Sequence, residues 1–380
     1  MEKFSKKDDG MFKIAIDNTF SYLKNKNIDG MGIYTQNIIE HLKKDDVLIQ
    51  EYVSRAFRGQ VDLQKVYKSK AFLSSLPYLI NETLYNTTSY SLDEKKLDAD
   101  MFFSTDHRIP SFKNLPVVAT IHDCIILSNP EWINTHFQRY KEYCFYQSVQ
   151  RAQKIICISE YAKKDIIHYL KVPEDKCEVI YHGINELFFN IKKDNNVLKK
   201  YNLDKKRYIL FVSTIQPRKN HISLIKAYDM LPNKIKEEYE LVFIGHYGWE
   251  CTDVLNAIKI SKIKWLQQVS QSELYILLQQ SSLFVFPSLF EGFGFPPLEA
   301  MASQVPVITS NKTTLPEVCE DAALYFDPLN ILDIRDKILD VLTDEYLQKC
   351  LIEKGLKQAK KFSWKKSTER HLKLFKSVVS

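Results

Sequence analysis

Glu291 and Glu299 are separated by seven residues in EGFGFPPLE, and the glycines and prolines between them set what the pair can do. Gly292 and Gly294 permit backbone conformations that bring amide groups close against a ligand. Pro296 and Pro297 suit the first turn of a helix, where a missing amide donor is tolerated. The segment therefore reads as a loop feeding a helix N-terminus, which is a ready anion site, with one carboxylate in the loop and one near the helix start. Farther up the chain, Arg218 and Lys219 in TIQPRKNHISLIKAY lie between a strand and a helix. Both cations can converge there on a diphosphate beside the helix N-terminus. The other reading of that segment is a basic surface loop. His122 and Asp123 follow the apolar run LPVVATI, and so fall at a strand end, where open parallel sheets bind ligands.

Each of these groups needs a strand to deliver it. Residues 283–286 form an apolar run of buried-strand length, and 305–309 the next strand, which completes a strand, loop, helix, strand unit. Residues 207–213 open the same half, 241–245 and 264–266 continue it, and Gly245 lets the chain turn. Asn220 is expected to cap the helix carrying Ile222, Leu224, Ile225 and Tyr228, and Ser270 the helix carrying Leu274. In the first half, 13–17, 48–53, 101–103, 115–121, KIICIS and 177–180 read as strands, and Ser159 as the cap of the helix after KIICIS. Gly30 and Gly32 lie between the first strand and a first helix ending near Leu42, where doubly wound folds place phosphate-contacting loops. A bare pair of glycines is equally a turn signal.

The segment EGFGFPPLE resembles the signature of family-4 retaining glycosyltransferases with the GT-B fold. That resemblance implies an α/β protein of two Rossmann-like doubly wound domains facing an interdomain cleft, with a last helix crossing back to the first domain. Glu291 would grip the transferred sugar and Glu299 the ribose of the nucleotide, while the amides of Gly292, Phe293, Gly294 and Phe295 meet sugar and phosphate. PRKN resembles the family's diphosphate clamp, which assigns Arg218 and Lys219 to the leaving group. ATIHD followed by NPEW resembles the acceptor-domain motif, which brings His122 to the sugar near its anomeric carbon and leaves Asp123 to support the loop. Gly32 and Gly245 would line the donor side, and base contacts would fall around 268–270. Two departures stand out: Gln304 occupies a position where the family usually has glycine, and the arginine many members carry near Thr214 is missing. Resemblance implies a nucleotide diphosphate sugar as donor, with mannose from GDP-mannose as first choice. By the same resemblance the acceptor is expected to be a saccharide or a lipid-linked saccharide, with neither cofactor nor metal required.

At 380 residues the chain suits two domains, placed at 11–189 and 190–362, with 363–380 as the returning helix. The boundary is set in the polar, lysine-rich stretch 190–206. Hydrophobic residues make up 45% and charged residues 26%, enough for a sizeable core and against wholesale disorder. Seven cysteines without a CxxC pair argue against a disulfide framework or a structural zinc, and for a reducing compartment. The formal charge of +6 is compatible with visiting an anionic membrane surface, and does not by itself indicate nucleic acid. No apolar run reaches membrane-spanning length and no apolar segment follows MEKFSKKDDG, so the chain is expected in the cytoplasm, with the inner membrane face as a place it visits.

Two further motifs have bland readings. Asp98-Ala99-Asp100 has the form of the metal-binding DxD of another glycosyltransferase fold, but stands far from any nucleotide motif and reads as a solvated turn. VYKSKAFLSSLPYLINETLY reads either as an amphipathic patch for lipid headgroups or as a core helix with solvated lysines. The functional alternative to an active transferase is a catalytically silent GT-B subunit that stabilises a partner enzyme. An epimerase or phosphorylase on the same architecture is a third reading, and it would need a catalytic acid or cofactor lysine that the sequence does not display.

Overall fold

The short apolar runs become two all-parallel sheets, each buried on both faces. The structure is a computed structural model that describes residues 11–23, 30–45, 47–54, 61–74, 93–132, 138–190 and 194–380. The first sheet contains β1 (Phe12–Asp17), β2 (Val47–Val53), β3 (Phe72–Leu73), β4 (Met101–Ser104), β5 (Val117–Ile121), β6 (Lys154–Cys157) and β7 (Cys177–Val179). Its order is β3-β2-β1-β4-β5-β6-β7. The second contains β8 (Arg207–Val212), β9 (Tyr239–Ile244), β10 (Lys264–Leu266), β11 (Leu283–Phe286), β12 (Val307–Ser310) and β13 (Leu324–Phe326), in the order β10-β9-β8-β11-β12-β13. Strands such as MFFS in β4 and LFVF in β11 are buried at every residue, which is why they read as continuous apolar runs without alternation.

In both sheets the chain moves outward from the first strand, then returns to the other side of it. The reversal falls between β1 and β4, where Ile14 pairs with Met101, and between β8 and β11, where Leu283 pairs with Ile209. Loops leave these neighbouring strand ends in opposite directions and open a crevice at the carboxyl edge. Arg218 and Lys219 follow β8, Glu291 follows β11, and His122 follows β5 beside β4.

The chain divides into two compact units, one made of residues up to 128, 138–182 and 364–380, the other of 129–132 and 183–363 among the described residues. The division thus falls between His182 and Gly183 and not at residue 190. The cause is local packing: Phe188 sits edge-on to Tyr275 at 4.5 Å, and the Ile184 amide donates to Phe362 O at 3.2 Å. The lysine-rich stretch contributes a short helix, Asn195–Lys200, to the second unit.

In the first unit the last helix, Trp364–Val379, packs on the helix Gly30–Leu42. Buried Tyr34 joins them, its hydroxyl lying 2.7 Å from His371 Nε2 and 2.6 Å from Thr120 Oγ1. Phe103 of β4 meets Phe375 at 4.7 Å. The Asp98–Asp100 turn lies at the amino end of the sheet, away from the ligand edge. Lys13 holds both carboxylates there, through its side chain to Asp98 at 3.1 Å and its amide to Asp100 at 2.8 Å. The reading of 66–85 as one core helix does not hold: Leu63–Ser69 is helical, Lys70 ends it at φ +57°, and Phe72–Leu73 pairs with β2. Leu76, Tyr78 and Leu79 lie outside the described residues. Among the described residues no helix is long and apolar enough to cross a membrane. Cys124, Cys157, Cys177, Cys251, Cys319 and Cys350 are free thiols.

Candidate active site

The second unit brings Arg218, Lys219 and Glu291 into one cluster at its carboxyl-edge crevice. Lys219 Nζ donates to Glu291 Oε1 at 2.5 Å, and Arg218 Nη1 reaches Glu291 Oε2 at 3.2 Å and Phe290 O at 2.8 Å. Backbone fixes the two loops to each other. Leu289 N donates to Arg218 O at 2.8 Å, and the Ser288 hydroxyl lies 3.3 Å from the same carbonyl. Lys219 also sits 5.5 Å from the centre of the Phe286 ring, a cation–π contact at the end of β11. Burial alone would raise the Glu291 carboxyl. The charges of Lys219 and then Arg218, with hydrogen bonds from Lys219 and Ser288, outweigh it and hold the group below its ordinary value. Glu291 is therefore an anion held between two cations.

The expected helix start is observed at Phe295–Ala302, with both prolines in its first turn. Gly294 takes φ +109°, a conformation other residues rarely adopt. Gly292 has no such φ, so its conformation does not demand glycine; what it contributes is a backbone without a side chain. Phe293 turns inward, meeting Phe295 at 5.2 Å and Phe362 at 5.7 Å. Glu299 lies one turn into the helix, and its carboxylate forms no hydrogen bond or ion pair among the described residues. Its side chain keeps partial access to solvent, yet the protein around it strips enough hydration to push the carboxyl up to about 7. Tyr275 is near enough for the Glu299 charge to add to the rise that burial gives its hydroxyl.

Of the loop residues singled out in the sequence, Asn220 differs from its expected role, while Gln304 and Gly245 both hold positive φ. Asn220 makes no side-chain cap; it sits at φ +58° and its amide donates to Pro287 O at 3.2 Å and Pro328 O at 2.8 Å, tying the cation loop to the loops after β11 and β13. Gln304 takes φ +59°, so the turn before β12 keeps the left-handed geometry that glycine would serve. Gly245 has φ +143°, and a β-carbon on it would stand 2.1 Å from Ser213 O. Its glycine is required by the close approach of the β8 and β9 ends, with or without a ligand. Ser270 does cap its helix, in a reciprocal box with Glu273.

In the first unit His122 stands just past β5. Its Nε2 lies 2.9 Å from Thr105 O, which fixes that nitrogen as the donor and turns the acceptor nitrogen elsewhere. Asp123 Oδ1 accepts from Ile125 N at 3.1 Å and so supports the loop. Gly32 is not in a loop; it is buried in the first turn of Gly30–Leu42. Tyr34 of that helix meets the His122 ring at 5.2 Å. Residues 24–29 lie outside the described residues.

Sequence reasoning missed Thr313, whose hydroxyl accepts from the Glu291 amide at 3.1 Å while its backbone sits at φ +55°. It also missed Asp17 and Asp106 at the ends of β1 and β4. Asp17 is raised to about 6 by burial and then by Asp106, and Asp106 is itself held low by Arg108 against its burial. No spacing or motif marks these three. Among the described residues no group of three or more His, Cys, Asp or Glu could hold a metal ion.

Comparison with known proteins identifies the family and the fold. The family model described as "Glycosyl transferases group 1" matches residues 193–358, and that of "Glycosyltransferase Family 4" matches 28–186. The O-antigen chain mannosyltransferase B of Escherichia coli is 35% identical over 266 residues, covering 68% of this chain and 70% of that protein. The serotype-specific mannosyltransferase WbdA of Escherichia coli is 31% identical over 66% of this chain, which spans only 32% of WbdA. The crystal structure of WaaG, a glycosyltransferase involved in lipopolysaccharide biosynthesis, superposes with a TM-score of 0.70 at 15% identity, covering 94% of this chain and 98% of that one. The two sheets are those of the GT-B fold.

Proposed function

The chain belongs to the glycosyltransferases described by the group 1 and family 4 models, and from that premise we propose that it is a retaining, metal-independent mannosyltransferase of surface polysaccharide synthesis. The donor is a nucleoside diphosphate mannose, GDP-mannose first, and the acceptor is a lipid-linked saccharide taken by the first unit at the cytoplasmic face of the membrane. The observation that carries the reading is Glu291 clasped by Lys219 and Arg218 between the ends of β8 and β11. Names of the mannosyltransferase relatives support the sugar, and the basic net charge supports the membrane face.

In the proposed reaction the bond from the anomeric carbon to the diphosphate oxygen breaks, and a bond from that carbon to an acceptor hydroxyl oxygen forms on the same face. The hydroxyl proton passes to the departing diphosphate, so no carboxylate base is needed. Negative charge grows on the leaving group, and Lys219 and Arg218 oppose it together with the amides at the start of Phe295–Ala302. Each such preorganised donor contributes roughly 3 to 4 kcal/mol in favourable cases. Glu291 orients the sugar through its hydroxyls and Glu299 holds the ribose.

The test is a panel of sugar nucleotides with a chelator present, read as released diphosphate, followed by NMR of the product's anomeric centre. GDP-mannose should turn over fastest, with the donor configuration kept. An inverted product, or turnover that disappears with the chelator, would remove the corresponding part of the proposal.

A further inference from the structure

The Glu291 loop is fixed through its backbone. Leu289 N and the Ser288 hydroxyl meet Arg218 O, the Glu291 amide donates to the Thr313 hydroxyl, and the Phe290 carbonyl receives Arg218 Nη1 at 2.8 Å. Between these ties the Phe290 side chain is buried, at 3% exposure. Trp132 meets its ring edge-on, with 6.4 Å between ring centres and 61° between planes. This tryptophan comes from a distant part of the chain. It ends the turn Pro130–Trp132, which follows the His122–Asp123 loop and the short helix Ile125–Ser128. The turn belongs to the second unit, although the chain before and after it belongs to the first. Pro130 sets its backbone, and the Trp132 amide closes it by donating to Asn129 O at 3.0 Å.

We propose that Trp132 is a positioning residue of the transfer step: seated against the Phe290 ring, it fixes the carbonyl that holds Arg218 beside Glu291. The inference rests on the reading of Arg218 as a cation of the leaving group. Arg218 and Lys219 differ in what holds them. Lys219 is buried against the Phe286 ring and Glu291. The Arg218 side chain keeps 23% exposure, and its hydrogen bonds among the described residues go to Phe290 O and Glu291 Oε2. Loss of the Phe290 O contact leaves the guanidinium on one carboxylate and free to turn toward water. A T-shaped aromatic pair has a preferred geometry, so the ring at 132 restricts the Phe290 ring and, with it, the peptide that carries this oxygen. An aliphatic side chain would fill the space without that preference. Small movements matter, because a misplacement of about 1 Å can cost about 10²-fold in rate. In the sequence NPEW reads with the His122 motif; on this proposal its tryptophan serves the donor loop.

The test is single-turnover release of GDP from saturating GDP-mannose by the full chain, with octyl α-mannoside as the acceptor probe. Trp132→Ala should slow release about tenfold, while donor affinity read by calorimetry stays within about threefold. Trp132→Phe keeps a ring in place and should recover the rate to within about threefold of wild type. Arg218→Lys keeps the charge but loses the fork that reaches both oxygens, so in that background Trp132→Ala should cost less than about twofold more. A structural role alone would lower the thermal midpoint and leave the two rate losses independent. If Trp132→Ala fails to fold, Trp132→Leu is read against the same limits. A rate within about twofold of wild type, a loss that falls on donor affinity instead, or the same tenfold loss in both backgrounds overturns the positioning role. With Lys219→Ala still slow, the transferase reading then stands. A wild-type chain that releases no GDP, or a Lys219→Ala variant as fast as wild type, removes the transferase reading and this inference with it.

Discussion

Glu299 gives the most discriminating prediction, because its carboxyl carries a pH signature that its neighbours do not share. Burial pushes it up to about 7, and among the described residues no cation draws it back. A ribose diol donates hydrogen bonds to a carboxylate, so the donor binds the ionised form and must first remove a proton where the group is protonated. With a free-state value near 7, about nine-tenths of the protein is ionised at about pH 8 and about one-tenth at about pH 6. Affinity for a nucleoside diphosphate sugar should therefore fall about tenfold across that window, or about 1.4 kcal/mol. The sugar ester is the right ligand, because its substituted diphosphate has no proton to lose in this range. Glu299→Gln should bind weakly and flatly over the same window. Stability runs with a definite sign as well. A folded value raised above the ordinary 4.5 means that the group's contribution is fully present below 4.5 and is lost as pH rises through 7, by about 3 kcal/mol at most. Calorimetric titration of wild type and Glu299→Gln at both pH values is the assay. A wild-type affinity that does not move, or a Glu299→Gln variant that keeps the wild-type slope, would refute the assignment.

Lys219→Ala removes the cation 2.5 Å from Glu291, and should lower the single-turnover rate by about 10²- to 10³-fold while changing donor affinity much less. A loss below about tenfold, or an equal loss in binding, would take Lys219 away from the leaving group. Gln304→Gly relieves a side chain held at φ +59°, and should raise the thermal midpoint by about 1 to 3 °C; a midpoint that stays or falls would mean the turn is not strained. Gly245→Ala places a β-carbon 2.1 Å from Ser213 O at φ +143°, and should lose about 2 kcal/mol or more in denaturant unfolding, whereas a neutral result would place the close approach in error.

Most of the strand and helix framework was legible because buried parallel strands and capped helices leave local signatures. LFVF, the paired prolines and Ser270 with Glu273 each act within a few residues of themselves. The loops were less legible. Asn220, Gln304 and Thr313 all sit at positive φ without being glycine, and Asn220 and Thr313 are tied to residues far away in the sequence. Gly32 was misplaced because a glycine pair marks a loop and a helix start equally, and the backbone between β1 and that helix decides which. The unit boundary was misplaced for a similar reason: composition pointed to the lysine-rich stretch, while Phe188 and Ile184 had already committed the chain to the second unit through contacts with Tyr275 and Phe362. Asp17, Asp106 and the Tyr34–His371 contact bridge long sequence separations and leave no local trace.

In the proposed reaction, the cluster of Arg218, Lys219 and Glu291 gives a reason for a sugar-binding glutamate to stand beside the cations that meet the diphosphate. Buried Lys219 and partly exposed Arg218 repel one another side by side, and without the carboxylate each would be free to turn toward water or a stray anion. A carboxylate between them lowers the local charge by one and fixes both heads at 2.5 and 3.2 Å. Positions are then set before any donor arrives, so little reorganisation is left for the moment when charge develops. That arrangement works only if Glu291 stays ionised despite its burial, which is the direction its neighbours impose. It also makes the two glutamates of EGFGFPPLE chemically unlike: one is held charged by cations, the other is held near neutrality by burial alone. On the proposed assignment, the first sets the electrostatics of the leaving group, and the second makes binding of the donor respond to pH.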